Sequence, residues 1–509
     1  MNEKTFYITT PLYYVNAQPH IGHSYTQIIC DCISRYRRIK GEEVFFLTGT
    51  DEHGQKVLRS AEGAGMDTME FVDGVVLKFK DLWQRLDIKY DDFIRTTQKR
   101  HIDTVQKALT LLYEKGDIYQ DEYKGFYCTP CETFWPNAQL ADDLCPDCKR
   151  RVDEISEKNY FFKLSKYQQW LADYIKDNPG FIKPDFRANE VLGYLKEPLN
   201  DLCISRPSQR LRWGIGMPFA KGHVTYVWFD ALINYISACG WADDKKRFNS
   251  IWPADFHIIG KDILRPHAVY WPIMLYALGI ELPKTIFAHG WWLISGEKMS
   301  KSKGNVVDPF YVIDKYGKNA YRYFMLREIS PGLDGTFSEE AFITRFNSDL
   351  ANDIGNLLNR TLTMVEKYFD GVVPGRGVPD TKAEKIESEL KELPGRVDSF
   401  MSELKFNQAL MAVWEMINIA NKYIEVSKPW EIVKSGDTRR LENVIYMLLK
   451  VLEYCVFLLY PFMPDAAMQI AGQLGMELDE KTISLNNIGE ILKPGLKIKK
   501  ANPIFPRIQ

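Results

Sequence analysis

Charge of one sign is what this chain of 509 residues lacks: 65 Lys and Arg stand against 67 Asp and Glu, a formal net charge of −2. That balance excludes a protein that meets polyanions through its overall field, and leaves such a role to a local basic surface. Histidine is scarce, with eight in the chain, so any two that sit together carry information. No apolar run approaches the ~18–20 residues of a membrane span. Met1-Asn2-Glu3-Lys4 leads straight into a strand-like Thr5–Thr10, without the basic stretch and apolar core of a secretory signal. Internal repeats and low-complexity stretches are also missing. The nine cysteines, with no export signal, predict reduced thiols in a cytoplasm. Cys30, Cys32, Cys203, Cys239 and Cys455 are scattered and read as small buried hydrophobes; the other four cluster.

The length suggests three or four domains, and a hydrophobic fraction of 45% with 12 Trp allows large cores. Phe6 to Thr10 reads as a buried strand, Pro11 to Pro19 as a loop, and Gly22 to Lys40 as a helix stopped at Gly41. Val44 to Thr48 is a second strand, ending at Gly49-Thr50-Asp51-Glu52-His53-Gly54. A strand–helix–strand unit makes the two strands parallel. Residues 66–116 read as helical. From 117 to 222, short strand-like pieces, Cys-Pro turns and a helical patch near 165–177 suggest an inserted module. Alternation then resumes, with a helix across Tyr226–Cys239, a strand at Phe256–Ile259, an apolar helix at Ile263–Leu278 and a strand region at Thr285–Leu293.

After about residue 340 strand signals nearly vanish, and 341–370, 381–393, 396–427 and 436–475 read as amphipathic helices. The predicted class is α/β, a parallel-sheet core in two halves, 1–116 and 223–295, split by the insertion 117–222. A loop region, 296–345, a helical bundle, 346–475, and a C-terminal extension, 476–509, follow. The tail from Leu492 to Gln509 has five basic residues and no acid; it reads as a solvated extension packed back on the body.

His20-Ile21-Gly22-His23 lies where the loop gives way to the first helix. A helix start after a parallel strand points free N–H groups outward and favours anions. Gly22 lets a ligand approach the backbone. Imidazoles three residues apart share one face of the emerging turn, where they can donate hydrogen bonds to charge growing on a phosphate. A lone histidine is usually a satisfied structural residue; two of eight flanking a glycine at such a switch reverse that reading. Far along the chain, Glu297-Lys298-Met299-Ser300-Lys301-Ser302-Lys303-Gly304-Asn305 gathers three lysines as a compact cationic group for phosphate oxygens. Gly296 and Gly304 let that loop move. Cys128-Thr129-Pro130-Cys131 and Cys145-Pro146-Asp147-Cys148 stand 13 residues apart, a spacing that presents four thiolates to one Zn2+. Four ligands close the site, so the predicted metal is structural.

Together and in this order, the two phosphate signatures resemble those of class I aminoacyl-tRNA synthetases. The resemblance is closer than the class: over nearly its whole length the chain looks like the bacterial-type methionyl-tRNA synthetase family. This implies a Rossmann-type catalytic core, a zinc-binding connective insertion and a helical anticodon-binding bundle. It implies formation of methionyl-adenylate from methionine and ATP with Mg2+, then transfer of methionine to the 3′ adenosine of its tRNA. By resemblance, His20 and His23 stabilise the α-phosphate, Lys298 and Lys301 hold the leaving pyrophosphate, and Gly22, Gly260, Asp262, Lys301 and Ser302 contact ATP. The implied methionine pocket is Pro11, Leu12, Tyr14, Asp51, Trp228, Ala231, Leu232, Tyr235, Ile263, His267 and Trp271. In it Asp51 faces the α-ammonium, and the polar tips of Tyr14 and His267 reach the thioether or each other. Leu232 departs from related pockets, which often carry proline there.

Asn356, Arg360 and Trp430 match positions that read a CAU anticodon, chemistry suited to stacking and hydrogen-bonding unpaired bases. The editing module of Ile-, Val- and Leu-specific relatives finds no room between Cys148 and Ser205. A C-terminal dimerisation module carried by some relatives is also not seen, so a cytoplasmic monomer is expected. Two rivals stand beside this reading: a class I-like ligase for another amino acid, and a catalytically silent tRNA-binding or assembly protein. The long helical region argues against the first, the intact histidine and lysine signatures against the second.

Overall fold

The computed structural model describes residues 4–128, 133–135, 140, 142–146, 149–294, 297–298 and 307–509. The chain divides into two compact units, one of Met1–Thr26 with Val44–His289 and one of Gln27–Glu43 with Gly290–Gln509.

The first unit is built on a seven-stranded sheet. Its order is Tyr13–Tyr14, Val44–Asp51, Phe6–Thr9, Phe256–Gly260, Thr285–His289, Ile182–Lys183, with Asp92–Arg95 also paired to Val44–Asp51. All of these pairings are parallel. Phe6–Thr9 lies inside, Ile8 opposite Phe46 on one side and Phe256 on the other. A parallel sheet is covered on both faces, so its inner strands are apolar without alternation, and all four residues of Phe6–Thr9 are buried.

Two stretches differ from their expected form. Residues 66–116 hold a strand, Asp92–Arg95, between the helices Thr68–Arg85 and Lys99–Glu114. Only Ile94 of its four residues is buried, so it has no alternation to read; the ladder to Leu47–Thr50 creates it. The segment 117–222 opens on a long hairpin rather than short pieces: Ile118–Cys128 and Asp153–Phe162 pair antiparallel across ten positions. Thr133–Trp135 and Leu202–Cys203 flank that hairpin. The same segment returns Ile182–Lys183 to the core sheet, Ile182 opposite Ile286. A two-residue strand has no period of its own. The helix expected at Ile263–Leu278 is π-wound over Pro266–Tyr270 and α-helical over Trp271–Leu278. Pro272 has no N–H for an i−4 carbonyl, a common cause of such rewinding.

The second unit is mostly helical. The break expected at Pro394-Gly395 is absent, and Thr381–Ser402 is one helix with Pro394 inside. Ile386, Leu390, Leu393, Val397 and Met401 are buried at helical spacing, which outweighs one lost hydrogen bond. The turn comes later, at Leu404, in the left-handed region with φ 58°. The 436–475 stretch is two helices, Thr438–Leu459 and Pro464–Gln473. The basic tail packs back on this unit, Ile498 N–H donating to Gly371 O at 2.9 Å. The five scattered cysteines are buried, as expected. No helix among the described residues is long and apolar enough to cross a membrane.

Candidate active site

Four parallel strands end side by side at Thr9, Asp51, Gly260 and His289, the edge at which open α/β sheets bind ligands. The helix Ile21–Ile39 begins here, its first turn closed by Ser24 N–H on His20 O at 3.2 Å. The Gly22 amide donates to His20 Nδ1 at 3.1 Å, and the His20 amide to His23 Nδ1 at 3.2 Å. Both Nδ1 atoms are acceptors, which puts the ring protons on the Nε2 atoms. The rings stack at 3.7 Å, and His23 meets the Tyr13 ring edge-on at 5.1 Å. A Cβ at Gly22 would stand 3.0 Å from His20 Cε1 and 3.2 Å from its Nδ1.

Gly260 also has no room for a side chain: a Cβ there would lie 2.6 Å from Asp262 Oδ1 and 3.8 Å from His289 Cε1. His289 belongs to this edge, although no motif marked it. Its Nε2 lies 2.7 Å from Thr26 Oγ1 and its ring 5.0 Å from Tyr25. The available signal was a histidine closing a strand just before Gly290.

Several residues expected to line an amino-acid pocket are brought together. Burial pushes His267 down to about 4, so its ring is neutral. Its Nδ1–H donates to Ile263 O at 2.9 Å, and Nε2 accepts from Tyr235 Oη at 2.8 Å. Both nitrogens are thereby engaged, and Tyr14 lies under Lys56 Nζ at 5.3 Å; of the two alternatives for these polar tips, a bond between Tyr14 and His267 does not form. Trp228 stands edge-on to His267 at 6.3 Å, and Tyr235 leans on Trp271 at 5.7 Å. Pro11, Ala231 and Leu232 are buried, and Leu12 and Ile263 pack on the same core. Below Tyr235, stacked at 4.1 Å, lies His257, held well below the usual histidine range by burial. His257 accepts from Trp271 Nε1 at 3.2 Å and donates to Thr9 Oγ1 at 2.7 Å.

A buried polar bridge behind this pocket had no sequence signature. Asp230, one residue before Ala231, takes His53 Nδ1 on one carboxylate oxygen and His101 Nε2 on the other, each at 2.7 Å. His101 Nδ1 lies 3.1 Å from Ser237 Oγ. Burial works to raise the Asp230 carboxyl, but His53 and His101 hold it below its ordinary value. Beside His53, the buried Glu52 takes Thr50 Oγ1 at 2.7 Å and Arg95 Nε at 2.6 Å. Asp51 thus sits at the head of a strand end anchored from two sides.

The remaining expected residues fall elsewhere. Lys298 pairs through its backbone with Leu293; Lys301 and Ser302 lie outside the described residues. Asn356 is exposed, Arg360 Nη2 meets Glu425 Oε1 at 2.7 Å, and Trp430 is 39% exposed. Cys128 and Cys145 are buried in one small cluster with Leu140 and Val152. The main chain turns back at Cys145, whose N–H donates to Arg150 O at 2.8 Å. Cys131 and Cys148 lie outside the described residues, and no group of three possible metal ligands occurs among those described. Cys128 ends its strand and Cys145 opens this turn, so two of the four expected thiols share one buried cluster, which fits half of a four-thiolate site.

A parallel sheet with paired imidazoles at a helix start, joined to a helical unit, defines a class I aminoacyl-tRNA synthetase. A family model described as tRNA synthetases class I (M) matches residues 6–156 and 150–362, and one described as the anticodon-binding domain of tRNA ligase matches 383–499. The methionine–tRNA ligase of Caldanaerobacter subterraneus subsp. tengcongensis is 49% identical over 508 residues, covering 99% of this chain and 79% of that protein. That of Thermotoga maritima is 45% identical over 507 residues, covering 99% and 80%. The structure of Mycobacterium tuberculosis methionyl-tRNA synthetase in complex with methionyl-adenylate superposes with a TM-score of 0.95 at 41% identity, covering 99% of this chain and 100% of that one. The chain belongs to the methionine–tRNA ligases.

Two substitutions test the geometry. Gly22→Ala should keep the fold but turn the His20 ring, cutting methionine-dependent ATP–pyrophosphate exchange by about 10²-fold, the cost of a small misplacement at a reacting centre. His101→Ala should raise the KM for methionine about tenfold, equivalent to about 1.4 kcal/mol, and leave the KM for ATP unchanged in the same assay. His101→Gln, which keeps a donor for Asp230, should recover most of the loss.

Proposed function

We propose that the carboxylate of methionine attacks the α-phosphorus of ATP at the carboxyl edge of the sheet, expelling pyrophosphate. The 3′-terminal adenosine hydroxyl of tRNA then attacks the adenylate carbonyl and AMP leaves. The observation that carries this reading is the pair of backbone-pinned imidazoles. With Nδ1 of each ring accepting from an amide, the Nε2–H of His20 and of His23 is the donor each ring offers to the α-phosphate, where negative charge grows. Lys298 and Lys301 neutralise the departing pyrophosphate, and Ser302 adds a hydroxyl. Mg2+, when bound with the nucleotide, screens the phosphates. Gly260 and Asp262, which share one crowded strand end, take the ribose and adenine.

The amino acid lies over Trp228, Ala231, Leu232, Tyr235, Ile263, His267 and Trp271, closed by Pro11, Leu12 and Tyr14, with Asp51 on its ammonium group. Neutrality of the buried His267 suits an uncharged thioether side chain. In the helical unit Asn356, Arg360 and the half-exposed Trp430 meet the CAU anticodon. Their chemistry supports this role: an amide, a guanidinium and an indole suit unpaired bases. Cys128, Cys131, Cys145 and Cys148 hold one Zn2+, which braces the insertion. The enzyme works in the cytoplasm, where translation takes place.

Lys301→Ala should lower methionine-dependent exchange by about 10²–10³, the effect of losing one transition-state contact; unchanged exchange would overturn the assignment. Trp430→Ala should leave exchange intact and weaken tRNA charging by about 1–3 kcal/mol, one lost base stack. Equal damage to both steps would make Trp430 a packing residue. For the metal, elemental analysis should find one zinc per chain, and Cys145→Ser should lower that content together with the thermal midpoint. Full stoichiometric zinc in Cys145→Ser removes it from the ligand set.

A further inference from the structure

The C-terminal tail is the most one-sided segment of a chain that is otherwise balanced: Leu492 to Gln509 holds Lys493, Lys497, Lys499, Lys500 and Arg507 and no acid. It is a fixed strap. Gly495 N–H donates to Val373 O at 2.9 Å, Val373 N–H to Leu496 O at 2.8 Å, and Lys499 N–H to Gln473 O at 2.9 Å. Further on, Ile508 N–H donates to Asn347 Oδ1 at 2.9 Å, and Asn347 Nδ2 returns a bond to Ile508 O at 3.0 Å. Its apolar residues Leu492, Ile498 and Phe505 are buried, while Lys493, Lys497, Lys499 and Arg507 are exposed and the Lys500 side chain is 26% exposed. Among the described residues only Lys500 has an acidic partner, Glu366 at 3.1 Å. The other four form no ion pair with an acid among the described residues.

The course of the strap matters more than its composition. It touches the helix Asn356–Phe369 and the turn before it at two positions: Phe505 O lies 3.8 Å from where a Cβ of Gly355 would be, and Lys500 pairs with Glu366. Those positions differ by about 20° around an α-helix. Asn359, Thr363 and Asn356 follow at about 40°, 80° and 100° from Gly355 on the same wheel, and all three are exposed. The strap therefore borders the open face on which Asn356 stands. Lys500 and its neighbours lie about 15 Å along the axis from Asn356.

We propose that this strap is an RNA-backbone surface: Lys497, Lys499 and Lys500 take phosphates of the tRNA arm whose loop meets Asn356, Arg360 and Trp430. The proposal rests on the anticodon reading of those three residues. With a net charge of −2, the chain has no overall field to hold a polyanion, so affinity has to come from a local cationic row. A strap already pinned by main-chain bonds places its lysines without ordering a free tail at the moment of binding.

The test uses the full chain and a methionine-accepting tRNA transcript, with binding measured across a salt series. The double variant Lys497→Ala/Lys499→Ala should bind about tenfold more weakly at low salt, with the slope of log affinity against log salt reduced by about two, one per lysine. The double variant Lys497→Arg/Lys499→Arg should bind as the parent does. Methionine-dependent exchange without tRNA should be unchanged in both, which also reports an intact fold. If the alanine variant keeps the parent affinity and slope while Trp430→Ala weakens binding, the strap proposal is overturned and the anticodon reading stands. If the slope falls while Trp430→Ala is silent, the strap is supported and the anticodon assignment is wrong. If neither variant changes binding, both are overturned.

Discussion

Two main-chain amides govern the chemistry of the helix start. The N–H groups of His20 and Gly22 occupy the Nδ1 atoms of His23 and His20, and an imidazole that accepts at one nitrogen must donate at the other when neutral. The donor character of both rings at Nε2 thereby follows from two backbone amides. That geometry arises where the chain, having left a buried strand at Thr9, enters a helix at Ile21. Gly22 completes the condition, since any larger residue would press on the ring whose orientation it helps to define.

The aromatic cluster around Tyr235 follows a related logic with neutral groups. His257 and His267 are buried and uncharged, and each spends its proton inward, on Thr9 Oγ1 and on Ile263 O. Tyr235 joins them by stacking on one and bonding the other. The cluster is consequently wired internally by hydrogen bonds between neutral groups. Charge is kept one layer back, where Asp230 accepts from His53 and His101. A carboxylate in that position stays ionised because two donors converge on it, and it fixes helix Val227–Leu232 to the strand end that carries Asp51.

Local rules give way where burial or close approach is stronger. Pro394 stays inside a helix because the apolar stripe on both sides of it is buried. Gly49 sits in a strand interior because a Cβ there would lie 1.9 Å from Ile94 O of the neighbouring strand. The insertion shows the same principle at larger scale. Its hairpin pairs Ile118–Cys128 with Asp153–Phe162, while Ile182–Lys183 completes the core sheet through pairing alone.

Short-range information was legible in the amino-acid order. The central strands, the helix start with His20, Gly22 and His23, the cysteine spacing, the aromatic set around Tyr235 and the long helical half could all be read from neighbours within about one helical turn or one strand. What lay beyond reach depends on partners far apart in the chain. His289 finds Thr26 across 263 residues, and Asp230 finds His53 across 177 and His101 across 129. The same holds for which nitrogen of His267 is committed to Tyr235 and for the strand at Asp92–Arg95. The sequence by itself determined which groups are available and how each short segment bends, because those depend on bonded neighbours and periodicity. Tertiary structure alone decided which hydrogen-bond partner each buried polar group keeps, because once water is excluded every such group must be satisfied by whatever packing brings within about 3 Å.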